Sequence, residues 1–319
     1  MLKKSLKYII SLTLAIILLW FSFRDVEWSK FIEGLKACNW WLIVLSMVAG
    51  AFAFWLRGLR WRQLLLPFNS QLTRTTTFNG INIGNISNIV FPRLGEFVRC
   101  GVIVRRSNIS YNKVLGTVVL ERVWELLVML MLGFILIIGS NRFVSFFVDE
   151  IWTKISMKFN MWWAILIAVS IISAFIYIIW RLRKQNAICG KIANIFKGIL
   201  QGFASCLQME KKWKFFFYTL LIWMIYWFMA CCTVWATPFL NGLDIIDALF
   251  ISLVGGLGFT VPVPGGIGAF HFIIALTLTS VYKIDWDAAM VYATISHSSQ
   301  AITQIIFGLF SYGYEALKK

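Results

Sequence analysis

Apolar positions in this chain do not alternate with polar ones; they gather into long runs separated by short, mostly basic loops. Runs of about 16–25 residues predict membrane-crossing helices rather than soluble ones. The pattern predicts full spans at about 8–23, 39–56, 114–138, 162–180, 215–237 and 286–312. Two further apolar runs, 78–104 and 248–281, are each interrupted. The first breaks at Pro92, with Arg93, Glu96 and Arg99 close behind; the second breaks at GGLG and again at VPVPGGIG. Each therefore predicts a helix, a Pro/Gly break and a second helix.

Composition strengthens the membrane reading. Hydrophobic residues make up 60% of the chain and charged ones only 14%, with a mean hydropathy of +0.77. A soluble core does not absorb such a composition. The whole chain, 1–319, thus reads as one all-α, polytopic integral membrane domain.

The charge places the loops. A formal net charge of +16 would suggest nucleic acid in a soluble protein. Here the basic residues sit in short loops, where the positive-inside rule puts them, and no nucleic-acid motif is present. RGLRWRQ after the second span and RLRK after the fourth mark cytoplasmic ends, whereas RDVEWSKFIEGLK (24–36) mixes signs as an external loop does. Residues 189–214 space lysines among Ile, Phe and Leu as a cytoplasmic interfacial helix does. The basic N-terminus without a cleavage site reads as an uncleaved first span. With both termini cytoplasmic the crossings must be even in number, and about six fit the apolar runs.

That topology leaves 78–104 as a re-entrant hairpin entered from the cytoplasm and 248–281 as one entered from outside. Irregular backbone at membrane depth survives only where protein or a wet cavity satisfies its polar groups, and paired Pro/Gly-interrupted segments point to a transporter's binding site. FPRLGEF and VPGGIGAF are also faintly alike, as an inverted repeat would make them.

The chemistry-bearing residues gather at these breaks. Pro92 is expected at the first position of a half-helix. Arg93, Glu96 and Arg99 follow at spacings of three, a cradle for phosphate at a helix N-terminus or else a scaffolding cluster. In span three Glu121 and Arg122 fall about 10–12 Å into the helix, with Arg122 able to pair with Glu125; a substrate role and a structural lock both fit. Pro262 and Pro264 frame the second break, and Pro264 is expected to open its second half-helix. Gly265, Gly266 and Gly268 offer positive φ or N–H groups to an anion. His271 is expected about two turns into that half-helix, and His297 near the middle of the last span; packing, proton sensing and headgroup contact all suit them. The six cysteines show no metal spacing and read as packing residues. No cofactor, metal or catalytic constellation is legible, and Asp244, Asp247, Asp285 and Asp287 fall in predicted external loops.

The order P-R-x-G-E-x-x-R (92–99), E-R (121–122) and P-x-P-G-G-x-G (262–268) resembles the flippase-like family that includes the transmembrane region of lysylphosphatidylglycerol synthetases. The resemblance covers nearly the whole chain. It implies translocation of an anionic phospholipid or glycolipid across a bacterial inner membrane, with membrane lipids as partners. Homo-oligomers and a separate lipid-modifying enzyme are further partners it allows. Members commonly carry a glutamate where this chain has His271, so a role resting on that carboxylate does not transfer. A membrane-embedded transferase and an ion or small-solute transporter remain as alternatives.

Overall fold

The computed structural model describes residues 2–139 and 211–318, together with 170, 181 and 209. The chain divides into two compact units, residues 1–111 with 208–319, and residues 112–207. The predicted span 162–180 and nearly all of the predicted interfacial helix 189–214 lie outside the described residues.

Among the described residues the structure is helical. In the first unit α1 (Leu2–Phe23) is followed by α2 (Trp28–Ala37), α3 (Trp40–Leu65), α4 (Arg74–Val90) and α5 (Leu94–Arg106). The second unit holds nearly all of α6 (Tyr111–Gly139). The first unit resumes with α7 (Lys212–Ala236), α8 (Ile245–Gly258), α9 (Ala269–Tyr282) and α10 (Trp286–Leu317). The predicted helices that fall on described residues therefore reappear, with α3 running on to Leu65 past its predicted end at 56. One loop does not: residues 24–36 hold the short helix α2, which buries Phe31 and Gly34. Its mixed charges conceal an apolar stripe, the usual sign of a half-buried helix.

Among the described residues four stretches are long and apolar enough to cross a membrane: Trp40–Leu65, Tyr111–Gly139, Lys212–Ala236 and Pro264–Tyr282. This is an integral membrane protein. The set differs from the six full spans expected. Of the expected spans that fall on described residues it omits 8–23, where Ile10–Phe23 is a shorter apolar helix, and α10, whose buried positions include Ser296, His297, Ser299 and Thr303. It includes instead the second arm of the second broken segment.

Both broken segments are helix–turn–helix units. α4 packs on α5, and α8 on α9. Glycine sets how closely the first pair approaches: a Cβ on Gly95 would lie 2.0 Å from the Gly84 carbonyl oxygen. α4 also packs on α10, where the Asn79 amide and the Arg106 guanidinium both donate to the Glu315 carboxylate at 2.8 Å. The main core fills the space among α2, α3, α7, α8, α9 and α10, with Ile43, Val234, Ile251, Ile274 and Met290 buried at its heart. The four described cysteines are unbridged and buried.

The acidic residues of the predicted external loops have local duties. Asp244 caps α8, accepting from the Ile246 and Asp247 N–H groups, while Asp247 returns the bond to the Asp244 N–H. Asp285 caps α10 through the Asp287 N–H. A carboxylate at a helix start takes up free N–H groups and complements the dipole.

Candidate functional site

The two breaks fold into the same turn. In Phe91-Pro92-Arg93-Leu94 the Leu94 N–H donates to the Phe91 carbonyl at 3.2 Å; in Val263-Pro264-Gly265-Gly266 the Gly266 N–H donates to the Val263 carbonyl at 3.2 Å. The residue after proline is left-handed in both, at φ 59, ψ 10 for Arg93 and φ 58, ψ 10 for Gly265. Proline second and positive φ third is the recipe of a type II turn. The faint likeness of FPRLGEF and VPGGIGAF is thus a likeness of backbone.

This geometry corrects three expected positions. Pro92 is not the first helical residue: it belongs to the turn, Arg93 is the N-cap, and α5 begins at Leu94. Pro264 likewise belongs to its turn, and α9 begins only at Ala269. His271 is consequently the third residue of α9, not two turns along it. In each case the preceding helix has already ended, at Val90 and at Gly258, and the left-handed residue after proline delays the next one. Gly265, Gly266 and Gly268 do take positive φ, at 58, 76 and 80.

The tips meet. The Arg93 guanidinium donates to the Thr260 carbonyl at 2.6 Å. A Cβ on Gly265 would sit 3.5 Å from the Ile89 Cα, so the second turn rests on the end of α4. Between them is a small cavity lined by Ile89, Phe259, Gly265, His297 and Gln304. It leaves about 20 Å³ open to the centre of a water-sized sphere, room for about one water molecule.

The second break presents carbonyls, and its neighbours satisfy them. Arg93 serves Thr260; the Ser11 hydroxyl donates to the Pro262 carbonyl at 2.6 Å; and His297 Nε2 lies 2.9 Å from the Gly265 carbonyl. A carbonyl can only accept, so that Nε2 carries the proton. Three donors from three different helices or caps thus complete a stretch whose own helical bonds are broken. Ser11 and Thr260 carry no sequence signal: Ser11 shares its apolar run with Thr13, and Thr260 contributes only its backbone carbonyl.

The two histidines are neighbours. Their ring centroids are 4.8 Å apart, and both residues are buried. His297 stacks on Phe259 and is flanked by Phe270, while His271 faces Phe23.

The Arg–Glu–Arg set spreads along α5 instead of converging. Arg93 is exposed, Glu96 half-buried and Arg99 buried. Arg99 follows Arg93 by six positions, about 9 Å along a helix, and the Arg99 guanidinium lies over the Trp61 ring, 4.8 Å from its centroid. Asn88 adds a residue the sequence did not flag: its side-chain oxygen accepts from the Gly95 N–H at 2.7 Å and caps α5. In the second unit Glu121 is buried and Arg122 pairs with Glu125 at 2.9 Å on its own helix. Among the described residues no three His, Cys, Asp or Glu side chains gather as a metal site would require.

The family described as lysylphosphatidylglycerol synthase TM region matches residues 8–308. The chain belongs to this family. Its two twin turns and the E-R pair of α6 therefore stand in a lysylphosphatidylglycerol synthase TM region. Glycosyltransferase AglD of Haloferax volcanii is 21% identical over 318 residues, covering 90% of this chain and 51% of that protein. The chain thus spans about half the length of this relative. No solved structure matches it.

Proposed function

We propose that the protein is a flippase-like lipid transporter that moves an anionic phospholipid or glycolipid headgroup across a bacterial inner membrane. Both broken segments are re-entrant hairpins in this reading, entered from opposite faces, and both termini are cytoplasmic. The observation that carries it is the meeting of two like turns, tip to tip, with Arg93 of one bonded to the backbone of the other. Two opposed broken helices form the usual midplane site of a transporter. The headgroup passes between the tips while its acyl chains stay in lipid. Arg93, Glu96 and Arg99, the glycines of the second turn and the two histidines are the residues assigned to the headgroup. Family membership supports the lipid assignment.

The cavity between the tips holds about one water molecule, so a headgroup passes only when the tips part. The purified protein in liposomes with labelled phosphatidylglycerol or a labelled glycolipid should accelerate leaflet exchange. Arg93→Ala and Glu96→Ala should abolish that acceleration while leaving the fold intact. Absence of acceleration for every anionic lipid, with fold retained, overturns the reading. The name of the Haloferax relative favours a second one, a membrane-embedded transferase acting on a lipid-linked substrate. Transfer of a sugar to or from a lipid-linked substrate by the purified chain, without leaflet exchange, would replace transport with that activity.

A further inference from the structure

The twin turns differ at the one position where a difference is costly. A left-handed third residue suits glycine, which Gly265 supplies; its counterpart Arg93 adopts the same angles with a full side chain. A non-glycine residue held in this region marks a place where the surroundings use the strain. The use is visible: the left-handed Arg93 sends its guanidinium across to Thr260 in the opposite break.

That bond is also replaceable. Thr260 offers a neutral carbonyl to one N–H of a guanidinium that has five. A phosphate offers charged oxygens in the spacing that guanidinium binds bidentately, so it adds a second bond and the attraction of opposite charges to what the single bond to the Thr260 carbonyl supplies. Arg93 is exposed, so a phosphate can reach it. Once Arg93 turns to phosphate, Thr260 loses its donor and the second turn keeps only Ser11 and His297.

We infer that the Arg93–Thr260 hydrogen bond is a latch between the two hairpin tips, opened when a phosphate group takes Arg93 away from the carbonyl. The latch rests on the transport reading above and supplies what that reading lacks, the reason why tips closed around one water's space part only when cargo arrives. The ligand chemistry is a phosphate, borne by a lipid headgroup or free in solution.

The test reads the tip directly. Purified protein in dodecyl maltoside micelles and phosphate-free buffer is followed by hydrogen exchange over residues 259–268. Phosphatidylglycerol is added in one arm and inorganic phosphate in another. In the wild type, phosphatidylglycerol should speed exchange there about tenfold, the measure of one lost hydrogen bond to a charged group. Arg93→Gly gives the first turn the residue the second already has, so it folds. It should show fast exchange without lipid and no further rise with it. Inorganic phosphate acting as strongly as the lipid supports the latch and makes free phosphate sufficient to open it. No rise in the wild type, or an equal rise in Arg93→Gly, overturns it. Leaflet exchange measured beside it separates the two readings. Tip opening without transport of any lipid removes the transport reading and leaves the latch, whereas transport without tip opening removes the latch alone.

Discussion

His297 Nε2 lies 2.9 Å from the carbonyl oxygen of Gly265, joining the middle of α10 to the left-handed turn of the second break. The bond explains why a histidine stands in an otherwise small and hydroxylated stretch of α10, SHSSQ. The ring does two things there: it stacks on Phe259 and it satisfies a carbonyl that no helix can reach. His271, 4.8 Å away, packs on the same aromatic floor.

The donor and the ring can be separated by substitution. His297→Gln places an amide N–H near the Nε2 position, while His297→Leu keeps bulk and removes the donor. Leaving the half-buried carbonyl without its partner should cost the Leu variant about 1 kcal/mol. The Gln variant should recover most of that. Thermal unfolding in detergent checks it; equal stability of the two variants would show that packing alone places His297.

Gly95 of PRLGEF is expected to tolerate nothing larger. The Cβ of an alanine would collide with the Gly84 carbonyl at 2.0 Å and with the Asn88 side chain at 2.7 Å. The first obstacle is backbone, so α4 and α5 must separate. Gly95→Ala should lose about 3 kcal/mol or fail to fold, whereas Gly101→Ala on the same helix, with open space around it, should be neutral or slightly stabilising. Expression and melting temperature of the pair read this directly, and a Gly95→Ala as stable as Gly101→Ala would contradict the packing described.

Much of this architecture is legible in the sequence, for physical reasons that also mark its limits. Apolar runs and Pro/Gly breaks report helices and their interruptions, so the two broken segments and most helix ends can be read directly. Turn handedness cannot. Nothing in the letters says that Arg93 takes an angle reserved for glycine, and the expected places of Pro92 and His271 shift with it. The helix α2 is obscured because its charges outnumber its buried residues, Phe31 and Gly34. Of the site, the charged and aromatic residues announce themselves, but their acceptors are the carbonyls of Thr260, Pro262 and Gly265, which every residue has. The pairing of His271 with His297 joins residues on two helices and leaves no local trace.

Glu315 should prove structural rather than part of the transport path. Its carboxylate accepts from Asn79 on α4 and Arg106 on α5, tying both arms of the first hairpin to the end of α10. It is nearly buried, so removing it strands two donors. Glu315→Ala should destabilise by about 2–3 kcal/mol, and Glu315→Gln, which keeps one of the two acceptor oxygens, by less. Denaturant unfolding ranks the two. Leaflet exchange per folded molecule should match wild type in Glu315→Gln, and a selective loss of transport there would move Glu315 into the mechanism.

The glycines of the second turn should fall in an order set by what surrounds each one. Gly265 is left-handed, but a Cβ there meets only ordinary contacts, the nearest at 3.5 Å. Gly265→Ala therefore carries the backbone cost alone, about 1–2 kcal/mol. Gly268 is also at positive φ, and its Cβ would press on α1, 2.7 Å from the Ala15 carbonyl and 2.9 Å from Leu18 Cβ. Gly268→Ala adds overpacking to the same backbone cost, roughly another 1–3 kcal/mol. The hydroxyl of Ser11, on that same face of α1, holds the Pro262 carbonyl. Displacing α1 should therefore loosen the tip as well as the fold. Gly268→Ala should melt below Gly265→Ala and speed hydrogen exchange over residues 259–268 more than Gly265→Ala does. The reverse order would mean that α1 does not brace the second break.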